Sequence, residues 1–168
     1  MGLLAIETNF ESLYDELATT GEDGDLVSQI ERHVRDYFDG MRLPSEPTIY
    51  DCLILSLREE DLIASFNWDP LLLQAYRRNV CMRRLPRLAF LHGNVAVGVC
   101  RKHRPWGCLG DACQKCGKPL KPSRLLYPVR HKDYSADPFI RGEWDALRNA
   151  FGGHTSSRYS GMGPRLRM

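Results

Sequence analysis

No apolar stretch in this chain approaches the roughly 20 residues a membrane-spanning helix needs, so none of its 168 residues reads as a span. The start, Met1 to Ile6, has neither a basic segment nor a long apolar one. It therefore does not read as a secretory signal. Its sixth residue is Ile, where N-myristoylation wants Ser or Thr. There is no internal repeat and no low-complexity tract. An excess of charge of one sign is also lacking. The chain has 23 Lys and Arg against 21 Asp and Glu, and three of the Arg fall in the last seventeen residues, which hold no acid. The remainder is near neutral, which argues against a dedicated nucleic-acid binder.

What is present is an ordinary globular composition, 43% hydrophobic and 26% charged, in a chain long enough for one domain with a buried core. Of its six cysteines, four fall between positions 100 and 116. They occur as Cys100-x2-His103, then Cys113-x2-Cys116, with Cys108 between. Thiolate and imidazole at knuckle spacing are the ligands a tetrahedral zinc takes. Gly117 frees the second knuckle's backbone. The expected set is Cys100, Cys113 and Cys116, with His103 or Cys108 as the fourth. Such clustering suits a reduced compartment, and a cytoplasmic protein is expected. Cys52 and Cys81 read as inert buried thiols.

Along the chain, Thr8-Asn9-Phe10-Glu11 reads as a capping box opening a helix that Gly21 and Gly24 end. Asp25 caps a second helix with the stripe Leu26, Ile30, Val34, Tyr37, Phe38 and Met41. Pro47 suits the first turn of a third helix through Leu57. These make a helical module over 8–57. Leu62 to Phe66 then reads as a buried strand, Pro70 opens a helix through Tyr76, and Leu88 to Leu91 is a second buried strand. The metal module occupies 98–121. Leu125-Leu126-Tyr127 is a candidate third strand, and Pro138 opens a last helix through Phe151. Strands alternating with helices predict an α/β fold with a parallel sheet. Ligands of such sheets bind beyond the carboxyl ends of the strands. Asn67, Asp69 and His92 fall there, and the three are expected to share one crevice. A histidine at such a place has the side chain best suited to take a proton near neutral pH.

Together these residues resemble the sirtuins and wider sirtuin-like proteins. Ser65-Phe66-Asn67-Trp68-Asp69 resembles that family's motif at the end of one strand. Leu91-His92-Gly93-Asn94-Val95 resembles the histidine-glycine pair ending the next. A cysteine-rich zinc ribbon follows at a similar interval, and Lys118 to Pro128 looks like the return strand. The likeness covers roughly residues 60–150, with 8–57 similar to the preceding helical insert. It implies a partial Rossmann-like parallel sheet with an inserted zinc ribbon, and zinc and NAD as cofactors. It also implies cleavage of the nicotinamide–ribose bond. His92 would be the general base on a ribose hydroxyl, Asn67 would position ribose and water, Asp69 would hold the nicotinamide amide, and Ser65 would belong to the cofactor site.

The chain departs from that family's pattern at three places. No glycine-rich dinucleotide turn precedes residue 60. Tyr127 to Lys132 does not resemble the segment that pairs with acylated peptide, which moves the expectation from protein deacylation toward NAD hydrolysis. Residues 152–168 do not resemble the expected strand and loop. With synonymous codons, those residues read one base earlier yield an apolar strand followed by a glycine-rich loop, so a frame-shifted tail is expected. A domain fragment with poor turnover alone is expected, needing a second chain for its missing strands. The competing readings are a non-catalytic, zinc-stabilised interaction module and a zinc-ribbon nucleic-acid binder using Arg101, Lys102, Arg104, Lys118, Lys121, Arg124, Arg130 and Lys132. A charge run of that kind is more often a solvated face.

Overall fold

The computed structural model describes residues 9–21, 24–103 and 105–152. The tail from 153 lies outside them, as do Thr8 and Arg104. The fold is mixed α/β, with five helices and two small sheets. Among the described residues, no helix is long and apolar enough to cross a membrane.

Helix α1 spans Phe10–Thr20. Its cap is Asn9 rather than Thr8: the Asn9 side chain accepts from the Ser12 amide at 2.8 Å, satisfying a donor the helix cannot. Gly21 closes it at φ +68, a left-handed position that glycine takes without strain. Helix α2, Gly24–Asp39, is antiparallel packing without a core. None of its residues is fully buried, and Tyr37 is 68% exposed. The apolar stripe is real, but part of the face beside it lines a cavity instead of meeting side chains. Helix α3, Ile49–Ser56, begins two residues after Pro47, which was expected in its first turn. Thr48 is its cap, and its amide donates to Asp51 at 2.6 Å. Asp51 is buried, and its carboxylate also receives Arg78 and Asn79 of helix α4, Leu71–Asn79. That pairing fastens α3 to α4 and holds the Asp51 carboxyl well below the usual carboxylate range.

Strands β1, Leu62–Ser65, and β2, Arg87–Phe90, form a parallel pair in register, Leu62 with Arg87 through Ser65 with Phe90. Sequence reading expected both to be buried. β2 ends buried, but β1 is only half-covered, with Ala64 exposed. Strands β3, Val97–Val99, β4, Trp106–Cys108, and β5, Lys121–Pro122, make a second, antiparallel sheet ordered β4-β3-β5. Leu125 to Tyr127 is not a strand. Leu125 and Leu126 are buried, so the apolar run was a sound core signal. The Leu126 amide, however, donates to the His92 carbonyl, and no ladder forms.

Helix α5, Pro138–Phe151, starts with Asp137 accepting from the Phe139 and Ile140 amides and with proline in its first turn, where a missing N–H costs nothing. It covers β2. The main core gathers Ile54 and Leu73 from the helical side, Phe90 from β2, and Phe139 and Ile140 from α5. Cys108 belongs to this core. Cys52 and Cys81 do not: both are exposed, contrary to the expectation of buried thiols. Periodicity marks their helices but not which face turns outward.

Candidate functional site

Two clusters stand out, one of sulfur and imidazole, one at the ends of β1 and β2. In the first, Cys100 leaves β3, His103 follows in the next turn, and Cys113 and Cys116 lie in a second turn. The Gly117 amide closes that second turn on the Cys113 carbonyl at 2.7 Å, and Gly117 sits at φ +68. The four ligand atoms all lie within 4.8 Å of one another. Cys100 Sγ is 3.8 Å from Cys116 Sγ, and His103 Nδ1 is 3.7 Å from both Cys100 Sγ and Cys113 Sγ. A tetrahedron with metal–sulfur bonds near 2.3 Å has edges of about 3.8 Å between sulfurs and slightly less from sulfur to nitrogen. These separations match, and the group could hold a metal ion. Cys108 is not part of it. Its thiol is buried in the main core and pushed up by that burial, which suits neither thiolate nor ligand.

The thiols are partly prepared for the deprotonated state. Burial opposes ionisation of Cys113, yet the Lys115 and Cys116 amides and neighbouring thiols bring it down to about 7. The His103 amide lowers Cys100. Cys116 moves the other way, because burial and the two adjacent thiols outweigh the Lys118 amide that favours its thiolate. A bound cation would favour all three thiolates together.

The second cluster is built by four loop tethers. The Val95 amide donates to the Trp68 carbonyl at 2.9 Å. The Asn94 side chain, wholly buried, donates to the Asp69 carbonyl at 2.5 Å. The Ser123 hydroxyl donates to the Asn94 carbonyl at 2.9 Å, and the Leu126 amide donates to that of His92 at 2.9 Å. Gly93 permits this closeness. It sits at φ +83, and a Cβ there would stand 2.0 Å from the Arg124 carbonyl oxygen. The segments after β1, after β2 and after β5 are therefore held against one another.

Their meeting place is a cavity of about 480 Å³ lined by Phe66, Asn67, Trp68, Asp69, His92 and Lys132, with Phe10 and Phe38 from the helical hairpin. The structure thus brings Asn67, Asp69 and His92 together. Ser65 does not line this cavity; its hydroxyl accepts from the Asn67 amide at 3.1 Å. Asp69 spends one carboxylate oxygen on the Leu71 amide, 3.0 Å away, at the entrance to α4. The Asn67 side chain makes no hydrogen bond among the described residues.

The His92 ring meets the edge of Phe66 at 4.8 Å and lies near parallel to Tyr134 at 6.1 Å. Burial, and then the charge of Lys132, push its pKa below the ordinary value, so it is neutral at pH 7. Its Nε2 is buried with no partner, as is Trp68 Nε1. Buried polar atoms are nearly always paired. Two orphans on the walls of one cavity mark it as a place where a polar ligand would be welcome. Trp68, Lys132, Tyr134 and Trp144 were not read from the sequence as site residues. Trp68 stands in the motif between Asn67 and Asp69, whereas Lys132, Tyr134 against His92 and Trp144 against Phe66 come from distant segments that no local pattern announces.

Compared with protein-family models and with curated protein sequences, the chain matches none.

Proposed function

We propose that this chain is a sirtuin-like, NAD-directed domain whose fold is stabilised by a structural zinc. In this reading β1 and β2 are part of a Rossmann-like sheet, and β3 to β5 are a zinc ribbon closed by Cys100, His103, Cys113 and Cys116. A four-ligand site with no open position serves structure rather than catalysis. It would fix the segment from β3 to β5 and, through Ser123 and Leu126, the floor under His92.

The observation that carries the NAD reading is the placement of Asn67, Asp69 and His92 around one cavity whose walls hold two unpartnered buried nitrogens. Bound NAD would supply an activated bond between nicotinamide and ribose. The chain's own part is positional and acid–base. His92 is neutral, and with its proton on Nδ1 the Nε2 lone pair can accept a proton from a ribose hydroxyl. The lowered pKa makes it a mild base, with the Phe66 ring packed against the imidazole. Asn67, with a free amide, orients the ribose and an incoming water. Asp69 has one carboxylate oxygen left over from capping α4, and it accepts from the carboxamide. Water as the acceptor favours NAD hydrolysis over protein deacylation.

Calorimetric titration of NAD into the full chain tests this. Asn67→Ala removes only an unpaired side chain, so it leaves the fold intact. Binding that weakens in Asn67→Ala and His92→Ala supports the reading. No binding at millimolar NAD, or binding indifferent to both changes, contradicts it.

A further inference from the structure

Three buried side-chain nitrogens among the described residues lack a partner, and the cavity at the strand ends accounts for two of them. The third is Nη1 of Arg35, on the cavity-facing side of α2. Its sister Nη2 donates to the Ser123 carbonyl at 2.9 Å, so the guanidinium is anchored at one corner and unsatisfied at the other. A guanidinium nitrogen withdrawn from water without an acceptor is costly. The side chain borders two further cavities, one of about 570 Å³ shared with Ser123 and Phe139 and one of about 780 Å³ lined by α1, α2 and the 124–133 segment; Arg124 lines both, and the larger gathers the more cations.

The charges on its walls are unequal. Arg32, Arg35, Arg124 and Lys132 line it, against Glu31 and Asp133. Both acids are already engaged. The Glu31 carboxylate receives the Tyr14 hydroxyl at 2.6 Å, and Asp133 receives the amides of Ser135 and Ala136 and the Ser135 hydroxyl within its own turn. None of the four cations forms an ion pair among the described residues, whose salt bridges lie elsewhere. Opposed acids are what usually neutralise such a cluster, and here they are spent on neutral donors. Two positive charges are left over.

We propose that this cavity is a binding site for a phosphoryl group, as free phosphate or on a small molecule, with Arg35 and Arg124 as its main ligands and Arg32 and Lys132 closing the charge. A phosphate monoester carries close to two negative charges at neutral pH and three acceptor oxygens, which matches the surplus and the donors. Paired guanidinium groups are the donors best shaped for it. A partner for Arg35 Nη1 would come from the anion, through a small swing of a side chain already held at Nη2. The surplus is only two charges, which fits one phosphoryl group rather than a nucleic-acid backbone. Lys132 and Leu126 line this cavity and the Asn67–His92 cavity alike, so the two are neighbours. The anion site nonetheless stands without any assumption about NAD.

The test is an amide-resolved NMR titration of the full, metal-loaded chain with inorganic phosphate, ribose 5-phosphate and ribose. Both phosphates should move amides at Val27–Arg35 and Arg124–Asp133, and ribose should move neither. Equal affinities for the two would assign the site to the free anion; tighter ribose 5-phosphate would assign it to a phosphorylated metabolite. Either outcome supports the proposal. Arg124→Gln, an exposed position, should weaken binding about tenfold, the loss expected for one charged hydrogen bond. Arg35→Gln should do the same, and Asn67→Ala should leave phosphate affinity unchanged, which separates this site from the NAD reading. No shift at tens of millimolar phosphate, on the order of a thousand times a tight metabolite's Kd, would overturn the proposal. So would an Arg124→Gln protein that binds as well as the parent.

Discussion

The Phe90 amide donates to a carboxylate oxygen of Glu143 at 2.7 Å. One residue further on, the Trp144 indole donates to the Leu91 carbonyl at 3.1 Å. Two successive side chains of α5 thus cap the outer edge of β2 just before His92. An open strand edge carries unpaired backbone groups, and here a helix supplies their partners. His92 is held from the strand side by α5 and from the loop side by Leu126.

Glu143 is 5% exposed. Burial raises its pKa to about 7, even though the Phe90 amide and the Trp106 side chain favour the carboxylate. The unfolded group titrates near 4.5, so between about 4.5 and 7 the folded state binds more protons than the unfolded one. Stability from this group is fully present below 4.5 and is lost as pH rises to 7, by up to about 3 kcal/mol. Glu143→Gln should flatten that part of the stability–pH curve, measured by urea unfolding between pH 5 and 8. A curve of unchanged slope would show that Glu143 is ionised in the fold.

His92 works in the opposite sense. Its folded pKa is depressed by burial first and by Lys132 second, so the unfolded state binds more protons and stability falls as pH drops below about 6.5. NMR titration of the imidazole should give a midpoint below that value. Lys132→Gln should raise the midpoint toward the ordinary value without restoring it fully, since burial remains.

Much of the site was legible because a short apolar run followed by polar residues locates the carboxyl edge of a parallel sheet without any knowledge of packing. That logic placed Asn67, Asp69 and His92. Knuckle spacing found Cys100, Cys113 and Cys116 in the same way, and the geometry settles the fourth position on His103, with Cys108 turned into the core. What was not legible depends on contacts distant in sequence. Leu125 to Tyr127 has the apolar content of a strand, but its backbone partners belong to a loop around His92. Ser65 was grouped with the cofactor site on motif grounds, while its hydroxyl serves the turn into Asn67. The edge caps Glu143 and Trp144 lie 53 residues from their partners, and on the sequence they are simply two residues of an amphipathic helix.

Gly93 allows no side chain. Its φ is +83, and an added Cβ would meet the Arg124 carbonyl oxygen at 2.0 Å, with backbone rather than a flexible side chain in the way. Gly93→Ala should cost more than about 3 kcal/mol, combining left-handed strain with displacement of the 123–126 segment. Urea unfolding measures the loss. A cost under about 1 kcal/mol, the range of an ordinary exposed glycine substitution, would show that the loops around His92 are not locked together.

One zinc per chain should accompany the purified protein. Cys113→Ser should abolish it, as measured by metal analysis, and lower the melting temperature by roughly 10 °C or more, because binding to a structural site contributes directly to folding. Cys108→Ser should keep the zinc. Retention of metal by Cys113→Ser, together with loss in Cys108→Ser, would reverse the ligand assignment.

The central claim is that the crevice holding Asn67, Asp69 and His92 receives the nicotinamide riboside part of NAD. The most direct measurement follows the imidazole signals of His92 and His33 by NMR while NAD is added to the metal-loaded chain. His33 sits on the exposed side of α2, its Nδ1 near the Gln29 carbonyl, and serves as an internal control. The account predicts a saturable shift of His92 alone, diminished in Asn67→Ala. A His92 signal that stays in place at millimolar NAD, or moves only together with His33, would contradict it.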